Sequence, residues 1–181
     1  MSTYIAFMRA INVAGHSVVK MDALRGAFAA AGCRNPRTYI QSGNVIFESS
    51  TSAETILRTL PGNLASVLGA EPVIFLRTFE EVAGLVKSNP FRAFKSESKA
   101  KLYVAFLAEQ PRAQPHFPLL QPKEGLEAFG MNGREVFIVS RPNPAGFYGF
   151  PNNFIEKELK VSATSRNWNT LTKIVAFARG A

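Results

Sequence analysis

Two short turn signals, Ser42-Gly43-Asn44 and Met131-Asn132-Gly133, constrain the fold of this chain more than any other feature. Each supplies residues that tolerate positive φ, and each lies between runs rich in β-branched and aromatic side chains. Arg37–Gln41 and Val45–Phe47 flank the first turn, and Leu126–Phe129 and Glu135–Val139 the second. That pattern predicts two β-hairpins.

The segments around the first hairpin fix its context. Tyr4–Met8 reads as a buried strand. Apolar residues at positions 21, 24, 28 and 31 keep helical spacing until Gly32 supplies a stop. After the hairpin, Ser50 or Ser52 can cap a helix running to about Leu68, with Pro61-Gly62 as a candidate break, and Glu71–Leu76 reads as a further strand. The order strand, helix, two strands, helix, strand is that of a ferredoxin-like sandwich.

A helix around residues 79–87 and the loop Asn89-Pro90-Phe91 lead into a second half of similar order. It comprises a strand at Leu102–Leu107, a short helical turn at Pro118-Leu119-Leu120, the second hairpin, a helix at Phe154–Leu159, an edge strand at Ser162–Ser165 and a closing helix at Leu171–Arg179. The expected fold is therefore α+β, with two ferredoxin-like subdomains related by internal duplication and helices packed on antiparallel sheets. The subdomains fall at residues 1–78 and 100–181, with 79–99 connecting them. Identity between the halves is negligible, so the repeat is one of element order only.

Composition narrows the partners. The 181 residues carry 21 Lys and Arg against 13 Asp and Glu, a net charge of +8, which favours anionic ligands. The excess is spread along the chain with no basic arm. Cys33 is the one cysteine, which excludes an intrachain disulfide and a cysteine metal cluster; it reads as buried and inert. With no basic n-region and no long apolar run, the expected home is the cytoplasm, without a membrane partner, and a monomer is the default.

Two polar clusters stand out. The first is Arg9, Asn12, Lys20, Gln41, Ser42 and Asn44, a strand end with its neighbouring loops, where α/β proteins often place ligands. Turn satisfaction already accounts for Asn12, Ser42 and Asn44, whereas Gln41 interrupts an apolar strand. The second is Arg166, Asn167, Trp168, Asn169, Thr170 and Lys173. Here Asn169 or Thr170 can cap the last helix, whose free amides attract anions beside a bidentate Arg166. The competing reading is a cap and a core tryptophan.

Other motifs carry less. Gly15–Lys20 lacks the second glycine and the ending of a phosphate loop. His16 and His116 have no metal or triad pattern around them, and no metal, cofactor or catalytic set is assigned. Gly146-Phe147-Tyr148-Gly149-Phe150 is similar to the aromatic strand motif of RNA-recognition domains, but Pro142, Pro144 and Pro151 make it a loop, read as aromatic packing rather than base stacking.

Four stretches together, Arg9-Ala10-Ile11-Asn12-Val13-Ala14-Gly15, Arg37 to Phe47, Asn89-Pro90-Phe91 and Thr164 to Thr170, resemble the DUF1697 family of bacterial proteins across nearly the whole chain. The resemblance implies two related α/β subdomains; the family's biochemical function is not established, so it implies no catalytic residues. Ala10 and Ala14 stand where members usually carry glycine. Pro151-Asn152-Asn153 stands in place of an expected Ser-Lys pair. The leading expectation is a protein that binds nucleic acid or a phosphorylated molecule. The alternatives are an enzyme acting on a small phosphorylated or carboxylated metabolite between the subdomains, and a protein-interaction module.

Overall fold

The computed structural model describes residues 1–9, 19–40 and 43–180. They form an α+β protein with two antiparallel sheets and five α-helices among the described residues. The chain divides into two compact units, Met1–Gly84 with Ile174–Ala181, and Leu85–Lys173.

In the first unit, β1 (Ser2–Met8), β2 (Arg34–Tyr39), β3 (Asn44–Ser49) and β4 (Ile74–Thr78) pair in the order β2-β3-β1-β4. Helices α1 (Met21–Ala30) and α2 (Ala53–Leu68) cover one face of this sheet. Alternation in β1 sends Tyr4, Ala6 and Met8 toward the helices, where they meet Leu24 and Phe28 of α1 and Ile56, Leu60 and Leu64 of α2. The end of α1 follows from its glycine. Gly32 takes φ +83, its amide donates to Ala29 O, and the Cys33 amide donates to Phe28 O, a Schellman closure that buries Cys33 beside Phe28.

Pro61 does not split the second helix as the sequence suggested. The helix runs unbroken for 16 residues, opened by Ser52, whose side chain accepts from the Thr55 amide. An interior proline costs about 3 kcal/mol. Burying Ile56, Leu60 and Leu64 on one stripe contributes roughly 2 kcal/mol each, which is more. The helix α3 (Phe79–Ser88) starts on a capping box, with the Thr78 amide donating to Glu81 Oε2 at 2.6 Å and the Glu81 amide to Thr78 Oγ1 at 3.2 Å.

In the second unit, β5 (Lys101–Leu107), β6 (Leu119–Gln121), β7 (Leu126–Asn132), β8 (Glu135–Ser140) and β9 (Ala163–Asn167) pair in the order β6-β7-β8-β5-β9. Helix α4 (Pro151–Leu159) packs Phe154, Ile155 and Leu159 onto Ala105, Leu107 and Ile138. It begins three residues earlier than the apolar spacing indicated, because Pro151 suits a first helical position. Helix α5 (Trp168–Arg179) closes the chain.

The expected helical turn at Pro118–Leu120 is instead the edge strand β6, which pairs Leu119 with Ala128 and Gln121 with Leu126. Pro111, Pro115, Pro118 and Pro122 lie in or beside this connection. Each lacks an amide donor and disfavours helix at the preceding residue, so a two-turn helix cannot form there. The strand-helix-strand-strand-helix-strand order is therefore present as elements in the first unit, while the second has a strand in place of its first helix.

Candidate functional site

The first polar cluster lies at one end of the first sheet. The Met8 amide donates to Gly43 O at 2.8 Å, Phe7 pairs with Asn44, and the Arg9 amide donates to Val73 O at 3.5 Å. Arg9, half-buried, thus leaves β1 at the end where β2 turns into β3 and β4 begins. Lys20 is exposed at the N-cap of α1 and makes no side-chain cap bond. The C-terminus of α1 feeds β2 at the opposite end of the sheet, so Lys20 opens the helix at the Arg9 end. Asn44 is buried, and its Nδ2 donates to Tyr39 O at 3.2 Å, closing the hairpin. Asn12, Gln41 and Ser42 lie outside the described residues.

Ile40, next to this turn, was not singled out from the sequence. It takes φ +50 and is 53% exposed. The left-handed region is costly for a β-branched residue, and no apolar burial compensates it. The sequence signal was the Ile-Gln-Ser-Gly order itself, in which the residue able to turn cheaply, Gly43, comes three positions later.

The second cluster is mostly internal. Arg166 on β9 is 8% exposed, and its Nη1 donates to Thr164 Oγ1 at 3.0 Å and Ser165 O at 2.9 Å. Burial pushes its guanidinium down to about 10, so it remains charged at neutral pH. Ser165 Oγ, also buried, has no hydrogen-bond partner among the described residues. The cap of α5 differs from the expected one. Asn167 Oδ1 accepts from the Asn169 amide at 3.0 Å, so the cap lies two residues before Asn169 and three before Thr170. Asn169 and Lys173 are exposed, and Thr170 is half-buried.

Trp168 joins an aromatic cluster within the second unit. Its ring lies 5.0 Å from Phe91, which stands 5.6 Å from Phe129 and 6.1 Å from Phe137. Tilted and edge-on geometries of this kind suit ring quadrupoles. The Asn89-Pro90-Phe91 and Arg166–Thr170 motifs therefore meet in space, a link that their separation in sequence concealed. Beside this cluster, Arg141 reaches both Glu97, at 2.7 Å, and Glu127, at 2.6 Å, and holds the Glu97 carboxyl below its ordinary range.

The sequence reading also missed Arg77 on β4, which is 2% exposed and whose Nη1 donates to Leu76 O at 2.8 Å. Arg77 pairs with Ile5 and Arg166 pairs with Val104, the central residues of β1 and β5. Each arginine thus holds the same register position in its own sheet, on the face opposite α1 and α2 in the first unit and opposite α4 in the second.

A cleft of about 500 Å³ in the second unit lies between the segment at 109–115 and residues 158–161. Arg112 and Lys160 line it together with Glu109 and Glu158, so its charges balance and favour neither sign of ligand. No group of three or more His, Cys, Asp or Glu that could hold a metal ion occurs among the described residues. No helix among them is long and apolar enough to cross a membrane.

The fold has a solved counterpart. A conserved bacterial protein from Streptococcus pneumoniae superimposes with a TM-score of 0.66 at 19% identity, covering 99% of each chain, a likeness that speaks for the fold alone. No curated protein matches the sequence. The model of DUF1697, described as a protein of unknown function, matches residues 1–137. That span takes in Arg9, the β2–β3 turn and Asn89-Pro90-Phe91 and stops short of Arg166–Thr170, so the match is less extensive than the resemblance suggested. With more than half of its length matched, from β1 into β8, the chain belongs to the DUF1697 family.

Proposed function

We propose that this is a cytosolic protein that binds an anionic ligand, nucleic acid in preference to a small phosphorylated molecule. Arg9 and Lys20 make the contact at the loop end of the first unit, and Asn12, Gln41 and Ser42 stay candidates on their sequence alone. The observation that carries the reading is the convergence of Arg9 with the β2–β3 turn, where Ile40 is held strained and exposed. Strain of this kind persists where the surrounding structure imposes it, and it concentrates at ligand sites. The net charge of +8 supplies the long-range attraction. Arg166, Asn167, Trp168, Asn169, Thr170 and Lys173 remain candidates as a group. Exposed Asn169 and Lys173 are the two of these best able to reach a ligand.

The reading includes a duplicated ferredoxin-like origin for the two units, with subdomains at 1–78 and 100–181 joined by 79–99. Its support is a register match. Tyr4-Ile5-Ala6-Phe7-Met8 in β1 and Tyr103-Val104-Ala105-Phe106-Leu107 in β5 hold the same places in their sheets, opposite Arg77 and Arg166. The test is direct titration of DNA and RNA at low salt. Binding that weakens as salt rises, with a slope that drops by about 1 in Arg9→Ala, supports the proposal. Absence of binding to every nucleic acid at low salt refutes it.

A further inference from the structure

The segment between β8 and α4 has no regular secondary structure, yet hydrogen bonds fix it at several points. Asn143 Oδ1 accepts from the Ala145 amide at 3.0 Å and the Phe147 amide at 2.9 Å, while the Asn143 amide donates to Phe147 O at 2.8 Å. The Ser140 hydroxyl donates to Gly149 O at 3.0 Å, and the Gly149 amide donates to Glu124 O at 3.0 Å. A Cβ on Gly149 would stand 2.6 Å from that same oxygen, so the approach requires glycine. The Tyr148 hydroxyl donates to Lys99 O at 2.7 Å.

This pinned loop presents Phe147 at 72% exposure and Phe150 at 55%. Large apolar rings on a floppy loop would fold inward; here the backbone bonds hold Phe147 out, while Phe150 rests one edge against Tyr103 at 5.9 Å and keeps the rest of its ring exposed. The surroundings are cationic. Lys101 Nζ lies 3.9 Å above the Tyr148 ring, and Lys99, Lys101 and Lys123 are all exposed. Glu97 and Glu127 are already engaged by Arg141, and Glu124 is exposed nearby. Exposed rings among lysines match the chemistry of unpaired bases on a phosphate backbone. A purely apolar protein partner would gain nothing from the lysines.

We propose that Phe147 and Phe150 form a stacking platform for single-stranded nucleic acid, with Lys99, Lys101 and Lys123 contacting its phosphates. This rests on the anionic-ligand reading above and adds the strand type and a second contact surface. Base–aromatic stacking is tolerant of sequence, so the platform selects single strands over duplexes.

The experiment is fluorescence anisotropy with labelled oligothymidylate, oligouridylate and a duplex of equal length, using the full chain. The expected result is preference for the single strands. Phe147→Ala with Phe150→Ala should weaken single-strand binding roughly tenfold or more, with the salt slope unchanged. Lys99→Ala with Lys101→Ala should lower that slope by about 1.4. All four side chains are exposed or carry little packing, so the variants should fold as the native chain does. If salt-dependent binding persists at native affinity in the double phenylalanine variant, the platform is overturned and the anionic-ligand reading stands. If no oligonucleotide binds at low salt, both fail. Capture of a polypeptide that depends on the two phenylalanines, without oligonucleotide binding, would make the surface a protein-docking site instead.

Discussion

The two units place a similar central strand pairing, in a four-stranded and a five-stranded sheet, under different covers. Each has a central strand flanked on one side by the second strand of a hairpin and on the other by a strand bearing a buried arginine. In the first unit two helices lie over the sheet, and Leu24 and Phe28 of α1 fill the space beside Phe47 and Leu64. In the second, α4 carries most of the cover, while Phe117 and Leu119 from the proline-rich connection pack at its margin as partly buried residues. The difference teaches that strand register, and not helix number, is what the two halves have in common. The second unit, which has β6 between β5 and β7 where the first has α1 between β1 and β2, carries a small-residue sheet face with Ala105, Ala128 and Ala163. It is also the half whose connections carry the exposed aromatic loop.

The largest effect expected from this contrast lies in the covers themselves. Phe28→Ala should destabilise the protein by about 4 kcal/mol, since Phe28 is fully buried and its ring lies tilted against Phe47 at 5.3 Å. Leu119→Ala, at the matching margin of the second sheet, should cost about 1 kcal/mol because it is partly exposed. Urea unfolding of the two variants measures the gap; equal losses would break the comparison of covers.

The arginines come next. Arg77→Ala and Arg166→Ala should each cost about 3 kcal/mol by removing charge-assisted hydrogen bonds and leaving a cavity. Arg166→Met should recover much of that loss, because an apolar side chain avoids the desolvation of a buried cation. A near-neutral Arg77→Ala beside a costly Arg166→Ala would show that shared register does not mean shared role.

Smaller effects test local devices found in the first unit. Thr78→Ala removes half of the capping box of α3 and should cost about 1 kcal/mol. Cys33 gives a pH signature. Burial pushes its thiol up to about 11 from an ordinary 9.0, so between those values the folded chain keeps a proton that the unfolded chain releases. Stability should fall as pH rises through that window, and Cys33→Ala should flatten the fall. Alkylation at pH 9 should be slow in the native chain and fast in urea.

Much of this was legible in the sequence where local chemistry decides. Gly32 stops α1, the hairpins form on their glycines, and Cys33 is buried as expected. What was not legible depended on competition or distance. Pro61 stays inside α2 because the buried stripe outweighs it. The strand at Leu119–Gln121 was not legible because three residues between prolines show no period to read. Several amides and hydroxyls near Trp168 could cap, and local sequence does not rank them; the backbone chose Asn167. Arg77 escaped notice because one cation in an apolar strand reads as a surface position until its register is known. The match of Tyr4–Met8 with Tyr103–Leu107 is too short to notice without the pairing that gives it meaning.

The most direct test of the central claim, that this protein binds nucleic acid through cationic loop surfaces, is the dissociation constant of the native chain for oligothymidylate measured across a salt series. The account predicts binding at low salt with log affinity falling linearly against log salt, at about 0.7 per phosphate contact. A dissociation constant that does not change with salt, or no binding at the lowest salt, would contradict it.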